Sequence, residues 1–383
     1  MPEVCLARCE NYEPGELKRA LGKVLAPLGG LSFVRPGMKI VIKANLVASK
    51  DPDAAVTTHP ALLAALTEML TARGAEVTIG DSPGGLFNSV FVNRIYHGAG
   101  LGEAEKAGAR LNQNFNERTA EFPEGFVLKE FPYTAYLDDA DVIINFAKLK
   151  THGMMALSAA VKNMFGIVPG TVKPEFHCRF PRVMDFARML LDLNRRFPAY
   201  LNLIDGVVGM EGNGPTSGTP RKIGVLLASR DPFKLDLVAA RLIGLKKDDV
   251  PTLEAAFREG LIPAAAEEVS VNLPLDDLIV PDFKHISNEK ELWTQDGNAA
   301  LWGKSLSRLM DRFLASRPIL SPSDCVGCRE CQKVCPVHAI TMKDNKPKIN
   351  RSLCIRCFCC QEFCPKGALH VRRPALAKLL NHK

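Results

Sequence analysis

From residue 39 onward the chain alternates between two apolar periods. Runs of strand length, KIVIKANLV (39–47), EVTIGDSP (76–83), DVIINFAKLK (141–150), YLNLIDGVV (200–208) and IGVLLAS (223–229), predict buried strands. Between the first two, HPALLAALTEMLTARG (59–74) puts Leu62, Leu63, Leu66, Met69 and Leu70 on one helical face, with Pro60 suited to the first turn and Gly74 to the stop. Asp231 and Pro232 open a further helix that runs to Gly244. The alternation predicts an α/β domain, a mostly parallel sheet with helices on both faces.

Ligands of such sheets gather beyond the carboxyl ends of the strands, and those positions are polar here. The first strand ends on Lys43 and Asn45, the second on Asp81 and Ser82, and the third on Lys148, Lys150 and His152. The fourth carries Asp205 and runs into a segment containing Glu211 and Asn213. HGMMALSAAVKNMFGIVPG (152–170) predicts a helix bearing Lys162 and Asn163, with His152 near its positive end, where an imidazole is biased neutral. His152, Lys148 and Lys162 are the candidate catalytic residues. Lys43, Asn45, Asp81, Ser82, Lys150, Asn163, Glu211 and Asn213 are the candidates for holding a substrate. The lysines and His152 bind anionic groups or transfer protons in this reading, and Glu211 with Asp81 balances or orients them. The glycine-rich GMEGNGPTSG (209–218) fits neither a dinucleotide fingerprint nor a P-loop, and its glycines and Pro215 suit a long turn.

The C-terminal part has a different texture. Of 12 cysteines, eight form two runs of the pattern C-x2-C-x2-C-x3-C-P: Cys325, Cys328, Cys331 and Cys335, then Cys354, Cys357, Cys360 and Cys364. Three closely spaced thiolates wrap one face of a cubane, and the fourth, beside the proline, ligates the other cluster. One cluster therefore takes Cys325, Cys328, Cys331 and Cys364, and the second takes Cys354, Cys357, Cys360 and Cys335. Zinc explains neither the third and fourth cysteines nor the prolines. Cys359 falls off the spacing and defaults to packing, as do Cys5, Cys9 and Cys178. Between the runs, Ile340 to Met342 and Lys348 to Asn350 flank a turn at Asp344 and Asn345 and predict a hairpin, with ALHVRR (368–373) as its counterpart after the second run.

This segment resembles bacterial-type ferredoxins with two 4Fe-4S clusters. The resemblance rests on all eight ligands and both prolines, and implies a small α+β domain over 318–383 with a basic tail. NAALWGKSLSRLMDRFLASRP (298–318) has apolar residues at helical spacing and predicts a connecting helix over 298–317, leaving 1–297 as the large domain. That domain resembles the domain of unknown function 362 family in RCENY, THPALLAAL, GDSPGG, NFAKLKTHGMMALSAAVKNMFGIVPG and DGVVGMEGNGPTSGTPR. The resemblance implies that His177, in PEFHCRF, matches a further family position, and it brings no agreed reaction. The layout is also faintly similar to that of nickel-pincer lactate racemases, from which no cofactor is carried over.

Residues 318–383 hold 12 Lys and Arg against 4 Asp and Glu, a formal +8 within a chain of +7, so the remainder carries about −1. The expected electron partner of so basic a module is an acidic carrier of the ferredoxin or flavodoxin type. A nucleic-acid partner is not expected, because the basic region lacks interleaved aromatics. The N-terminus lacks a secretory pattern and no apolar run approaches a membrane span, so the expected location is cytoplasmic, where thiols stay reduced. The expectation is an iron–sulfur oxidoreductase relaying electrons between an external carrier and a substrate or cofactor in the α/β domain. The alternative is a non-catalytic electron-transfer or cluster-carrier protein that docks on a partner enzyme.

Overall fold

The computed structural model describes residues 1–286 and 316–372. The connecting helix expected at 298–317 falls almost wholly outside the described residues.

The large domain contains strands β1 (Val4–Arg8), β2 (Lys39–Lys43), β3 (Glu76–Gly80), β4 (Arg110–Leu111), β5 (Glu117–Glu121), β6 (Glu130–Thr134), β7 (Val142–His152), β8 (Ala156–Ser158), β9 (Leu201–Glu211) and β10 (Thr219–Ser229). Its helices are α1 (Pro14–Leu25), α2 (Pro60–Thr71), α3 (Ser89–Gly98), α4 (Gly102–Lys106), α5 (Ala160–Asn163), α6 (Lys173–Arg179), α7 (Val183–Arg196), α8 (Pro232–Leu242) and α9 (Pro251–Arg258). The main sheet has the order β1-β10-β9-β7-β2-β3-β4, with β8 paired to β7. From β9 to β4 the pairs are parallel, and helices lie on both faces. α1, α2 and α4 pack together against β10 and β3, while α5, α7, α8 and α9 pack together against β7 and β10.

The start signals work as the sequence implies. Pro60 opens α2, and the Asp231 carboxylate caps α8 by accepting from the N–H groups of Phe233 (2.8 Å) and Lys234 (3.1 Å). Gly74 ends the α2 segment at φ +84°, and a Cβ there would lie 3.0 Å from the Pro36 backbone.

Three local expectations change. The run 223–229 belongs to β10, which pairs antiparallel with β9 and is reached directly from it, without a crossover helix. Only residues 212–218 separate the two strands, too few for a parallel crossover but enough for a hairpin turn, and this is what the glycine-rich stretch forms. β1 escaped the periodicity reading because it is a five-residue edge strand, antiparallel to β10. Residues 152–170 do not form one helix. His152 ends β7, the chain doubles back as β8 with His152 opposite Ala156, and helix begins only at Ala160. The Asp236 carboxylate on α8 fixes that start by accepting from the N–H groups of Ala160 (2.7 Å) and Val161 (3.0 Å).

The C-terminal module contains β11 (Arg317–Leu320), α10 (Glu330–Lys333), β12 (Ile340–Lys343), β13 (Lys346–Ile349), α11 (Cys359–Glu362) and β14 (Leu369–Arg372). β12 and β13 form the expected hairpin, with Asp344 (φ +49°) and Asn345 (φ +57°) both left-handed, as a tight two-residue turn requires. β14 pairs with β11 instead of forming a hairpin of its own.

Candidate functional site

The two cysteine runs are related by a constant offset of 29 residues (354 − 325). Backbone conformation repeats at the same offset: left-handed residues stand at Gly327 and Arg356, at Arg329 and Phe358, and at His338 and Gly367. The N–H groups of Ala339 and Ala368 donate to the Sγ atoms of Cys335 and Cys364, each at 3.2 Å. Such loops turn amides toward sulfur, which stabilises thiolate bound to iron. Cys325, Cys328, Cys331 and Cys364 converge on one small cavity, the grouping the spacing rule requires. Among the described residues no three His, Cys, Asp or Glu side chains close around a single metal ion. A cubane, whose thiolates each bind a different iron, needs the wider ring that these cysteines provide.

A cavity of about 590 Å³ lies between the strand ends and the module. The large domain lines it with Asn45, Asp81, Ser82, His152, Lys162 and Asn163, all foreseen from the sequence. The module lines it with Glu330, Lys333 and Val334 from the first run, and with their counterparts Cys359, Glu362 and Phe363 from the second. The fifth cysteine is thus part of the cavity wall.

Register explains the convergence. β2 pairs with β3 and β7 so that Lys43 stands beside Gly80 and Asn145, and the residues after these strands emerge at one edge. β7 runs well past β2, with β9 alongside it as far as Lys150, and carries His152 beyond the edge. The His152 Nδ1 accepts from the N–H groups of Met154 (3.0 Å) and Met155 (3.2 Å), which places the imidazole proton on Nε2. Nε2 has no hydrogen-bond partner and lies 3.8 Å from Glu362 Oε2. Burial, reinforced by Lys162, His177 and Lys150, holds the imidazole neutral. The expectation of a neutral His152 stands, with burial as its cause in place of a helix terminus.

Two further residues complete the wall. Lys173 donates to the Ser82 carbonyl, and burial lowers its pKa to about 7. His177 stacks on Phe186 at 4.5 Å, and burial, with Lys162 and Lys173 adding to it, lowers its pKa to about 3. Family resemblance pointed to His177. Lys173 carried no signal, because it follows a turn and not a strand.

The other candidates lie elsewhere. Lys43, beneath the cavity, pairs with Asp81 at 2.8 Å, and a Cβ at Gly166 would fall 2.0 Å from that carboxylate, so glycine is required there. Lys150 is fully buried, donating to Asn45 Oδ1 and the Val56 carbonyl at 2.7 Å each, and burial lowers its pKa to about 7. Lys148 does not line the cavity; it is paired with Asp205 at 2.5 Å and hydrogen-bonded to Tyr12, which stacks on His59 at 3.6 Å. Glu211 accepts from the Lys284 N–H at 3.0 Å. Asn213 bonds the module, donating to the Leu369 carbonyl at 3.2 Å and accepting from Gln361 Nε2 at 3.0 Å. Cys5 and Cys9 are buried as expected, and burial raises their thiol pKa values to about 11 and about 12. Cys178 contradicts the packing expectation: it sits next to the inward-facing His177 on α6 and is exposed.

Residues 40–241 match the family described as Domain of unknown function (DUF362). The chain belongs to the DUF362 family. Residues 317–365 match the 4Fe-4S dicluster domain, so the DUF362 domain is joined here to an iron–sulfur module of the electron-transfer type. The Thylakoid-associated protein sll1697 of Synechocystis sp. is 34% identical over 293 residues, covering 73% of this chain and 87% of that protein. The lactate racemase apoprotein from Thermoanaerobacterium thermosaccharolyticum aligns with a TM-score of 0.40 at 14% identity, over 63% of this chain and 56% of the racemase, a likeness too slight to transfer any feature. No described helix of this DUF362 protein is long and apolar enough to cross a membrane.

Proposed function

We propose that the protein is an iron–sulfur oxidoreductase in which the module passes electrons between an external carrier and a small molecule held in the cavity. The observation that carries this is the shared wall: one cavity is bounded by the polar strand ends of the DUF362 domain and by Cys359, beside the cluster ligand Cys360. Two 4Fe-4S clusters, held by the crossed cysteine sets, would supply one-electron transfer at low potential. The chain's own residues do the rest. Ser82 orients a bound molecule with its unpartnered hydroxyl, while Asn45 and Asn163, bonded to each other and to Lys150, Lys43 and Asn145, fix the floor of the cavity. The neutral His152 offers a proton at Nε2, and Phe363 closes the cavity against water. Lys148, foreseen as catalytic, is engaged in its ion pair with Asp205 and lies outside the cavity lining, so it takes no part in the proposed chemistry.

The carrier side is the outward surface of the first run. Cys328 is exposed, and Arg329 and Lys366 flank that cysteine set. Net positive charge there suits an acidic ferredoxin or flavodoxin. We place the protein in the cytoplasm, where its free thiols would stay reduced.

The test is anaerobic purification followed by iron and sulfide analysis and native mass spectrometry of the whole chain. Two clusters give about eight irons per chain. A retained small molecule, or one consumed when reductant is supplied without any partner protein, supports the reading. Full iron content with neither retention nor turnover would point to an accessory role as electron donor or cluster carrier.

A further inference from the structure

The cavity has an electrostatic character that the relay alone does not require. Its acidic residues are mostly matched: Asp81 pairs with Lys43 at 2.8 Å and Glu330 with Lys333 at 2.7 Å. Lys162 and Lys173 differ from the other cations near the site. Both ammoniums lie over the ring of Phe165, at 4.7 and 5.3 Å from its centre, and among the described residues neither has a carboxylate within ion-pair distance. Glu362 is the remaining carboxylate in the wall, so once Asp81 is matched by Lys43 from beneath and Glu330 by Lys333, two lysines face one carboxylate. Removing an ammonium from bulk water without a counter-ion is costly and lowers the pKa of both lysines, and an anion bound between them would offset that cost and restore the charged form.

Unpartnered polar atoms give an independent indication. Ser82, His152 and His177 line the cavity, are at most 6% exposed, and have Oγ, Nε2 and Nδ1 respectively without a hydrogen-bond partner. Since Nδ1 of His152 already accepts two N–H groups, its free Nε2 is a donor. The Ser82 hydroxyl is a second donor, and the two ammoniums add further donors to the same wall. The space also suits a small organic molecule, with Phe165, Phe363 and Pro215 as apolar walls for its body.

We infer that this cavity binds a small molecule through an anionic oxygen group, a carboxylate or a phosphate, held between Lys162 and Lys173 with the Nε2–H of His152 as a third donor. This deepens the proposed function, because it gives the chemical class of the molecule at the far end of the relay. The anion is fixed by charge at one end, and its body lies against the wall that contains Cys359.

Isothermal titration of the anaerobically purified full chain with inorganic phosphate and with malonate tests this. Saturable binding of at least one of them is expected, weakened about tenfold or more in Lys162→Gln and in Lys173→Gln, and largely restored in Lys162→Arg, with iron content unchanged throughout. If a variant loses its clusters, protection serves instead: on the wild-type protein, the bound anion should slow acetylation of Lys162 and Lys173 as mapped by mass spectrometry. Absence of saturable binding, or binding equal in wild type and both glutamine variants, overturns the assignment. The two readings fail differently. Anion binding that leaves the cluster EPR signals unchanged sinks the relay and keeps the anion site, whereas reductant-driven turnover of an uncharged molecule without anion binding does the reverse.

Discussion

Cys359 and Glu330 hold the same position in the two halves of the module, 29 residues apart (359 − 330), as do Phe358 and Arg329, and Gln361 and Gln332. Their surroundings differ. Phe358 is 3% exposed and joins the hydrophobic core of the large domain, and Gln361 is fully buried with its amide on the Asn213 and Gly214 carbonyls. Arg329 faces solvent and Gln332 is half-buried. One repeated loop has thus been given two jobs by changing the residues between its cysteines: apolar and amide groups where it docks, charge where it meets water. The cysteines and the left-handed positions are constrained by the cluster and stay alike. In the proposed relay the exposed half would exchange electrons with the carrier and the buried half would deliver them.

The comparison breaks most severely at the cysteines. Cys360→Ser should remove about half of the iron, while its neighbour Cys359→Ser should keep all of it, since only the former falls on the repeated spacing. Iron and sulfide analysis decides, and equal losses would mean that the ligands are wrongly assigned.

Docking of the buried half should be the next most sensitive feature. Phe363 packs so closely on Gly84 that an added Cβ would sit 2.0 Å from its ring. Gly84→Ala should therefore cost about 1–3 kcal/mol of overpacking. Retained small molecules should be lost and proteolysis of the module accelerated, with the clusters kept. Unchanged proteolysis and retention would show that the two parts are held together elsewhere.

A smaller effect belongs to the exposed half. Reduction by an acidic carrier should slow as ionic strength rises and the Debye length falls to about 10 Å near 0.1 M salt. Arg329→Glu with Lys366→Glu should slow it several-fold at low salt and flatten that dependence. Stopped-flow bleaching of the cluster absorbance measures it, and a wild-type rate that ignores salt would count against an acidic partner.

What the sequence disclosed follows the range of the interactions involved. Parallel strands are apolar throughout, so the runs around Ile40 to Ile42 and Ile143 to Phe146 were legible, and polar residues after them mark the ligand edge. The cysteine sets were legible because a cubane imposes its own spacing. Sequence did not separate Lys162, which faces the cavity, from Lys148, whose partner Asp205 lies 57 positions away (205 − 148) on the neighbouring strand. Nor did it disclose Lys173, or that Asn213 serves docking, since both depend on a contact between parts distant in the chain. The helix predicted from His152 failed for a local reason: β7 runs on past β2 and turns back through Ala156, at φ +59°, a conformation alanine seldom signals.

The central claim is that both cysteine runs reach the cavity wall but the cluster of the second lies nearer Lys162, whose closest charged neighbours in the module are Glu362 and Cys359. EPR-monitored redox titration of wild type and Lys162→Gln tests it, with signals assigned by their loss in Cys328→Ser or in Cys357→Ser. Removing a positive charge makes a nearby cluster harder to reduce, by roughly 70 mV for one charge about 10 Å away at an effective dielectric near 20. The signal lost in Cys357→Ser should move to lower potential by clearly more than the one lost in Cys328→Ser. Equal shifts of both signals, or a shift confined to the signal lost in Cys328→Ser, would contradict the account.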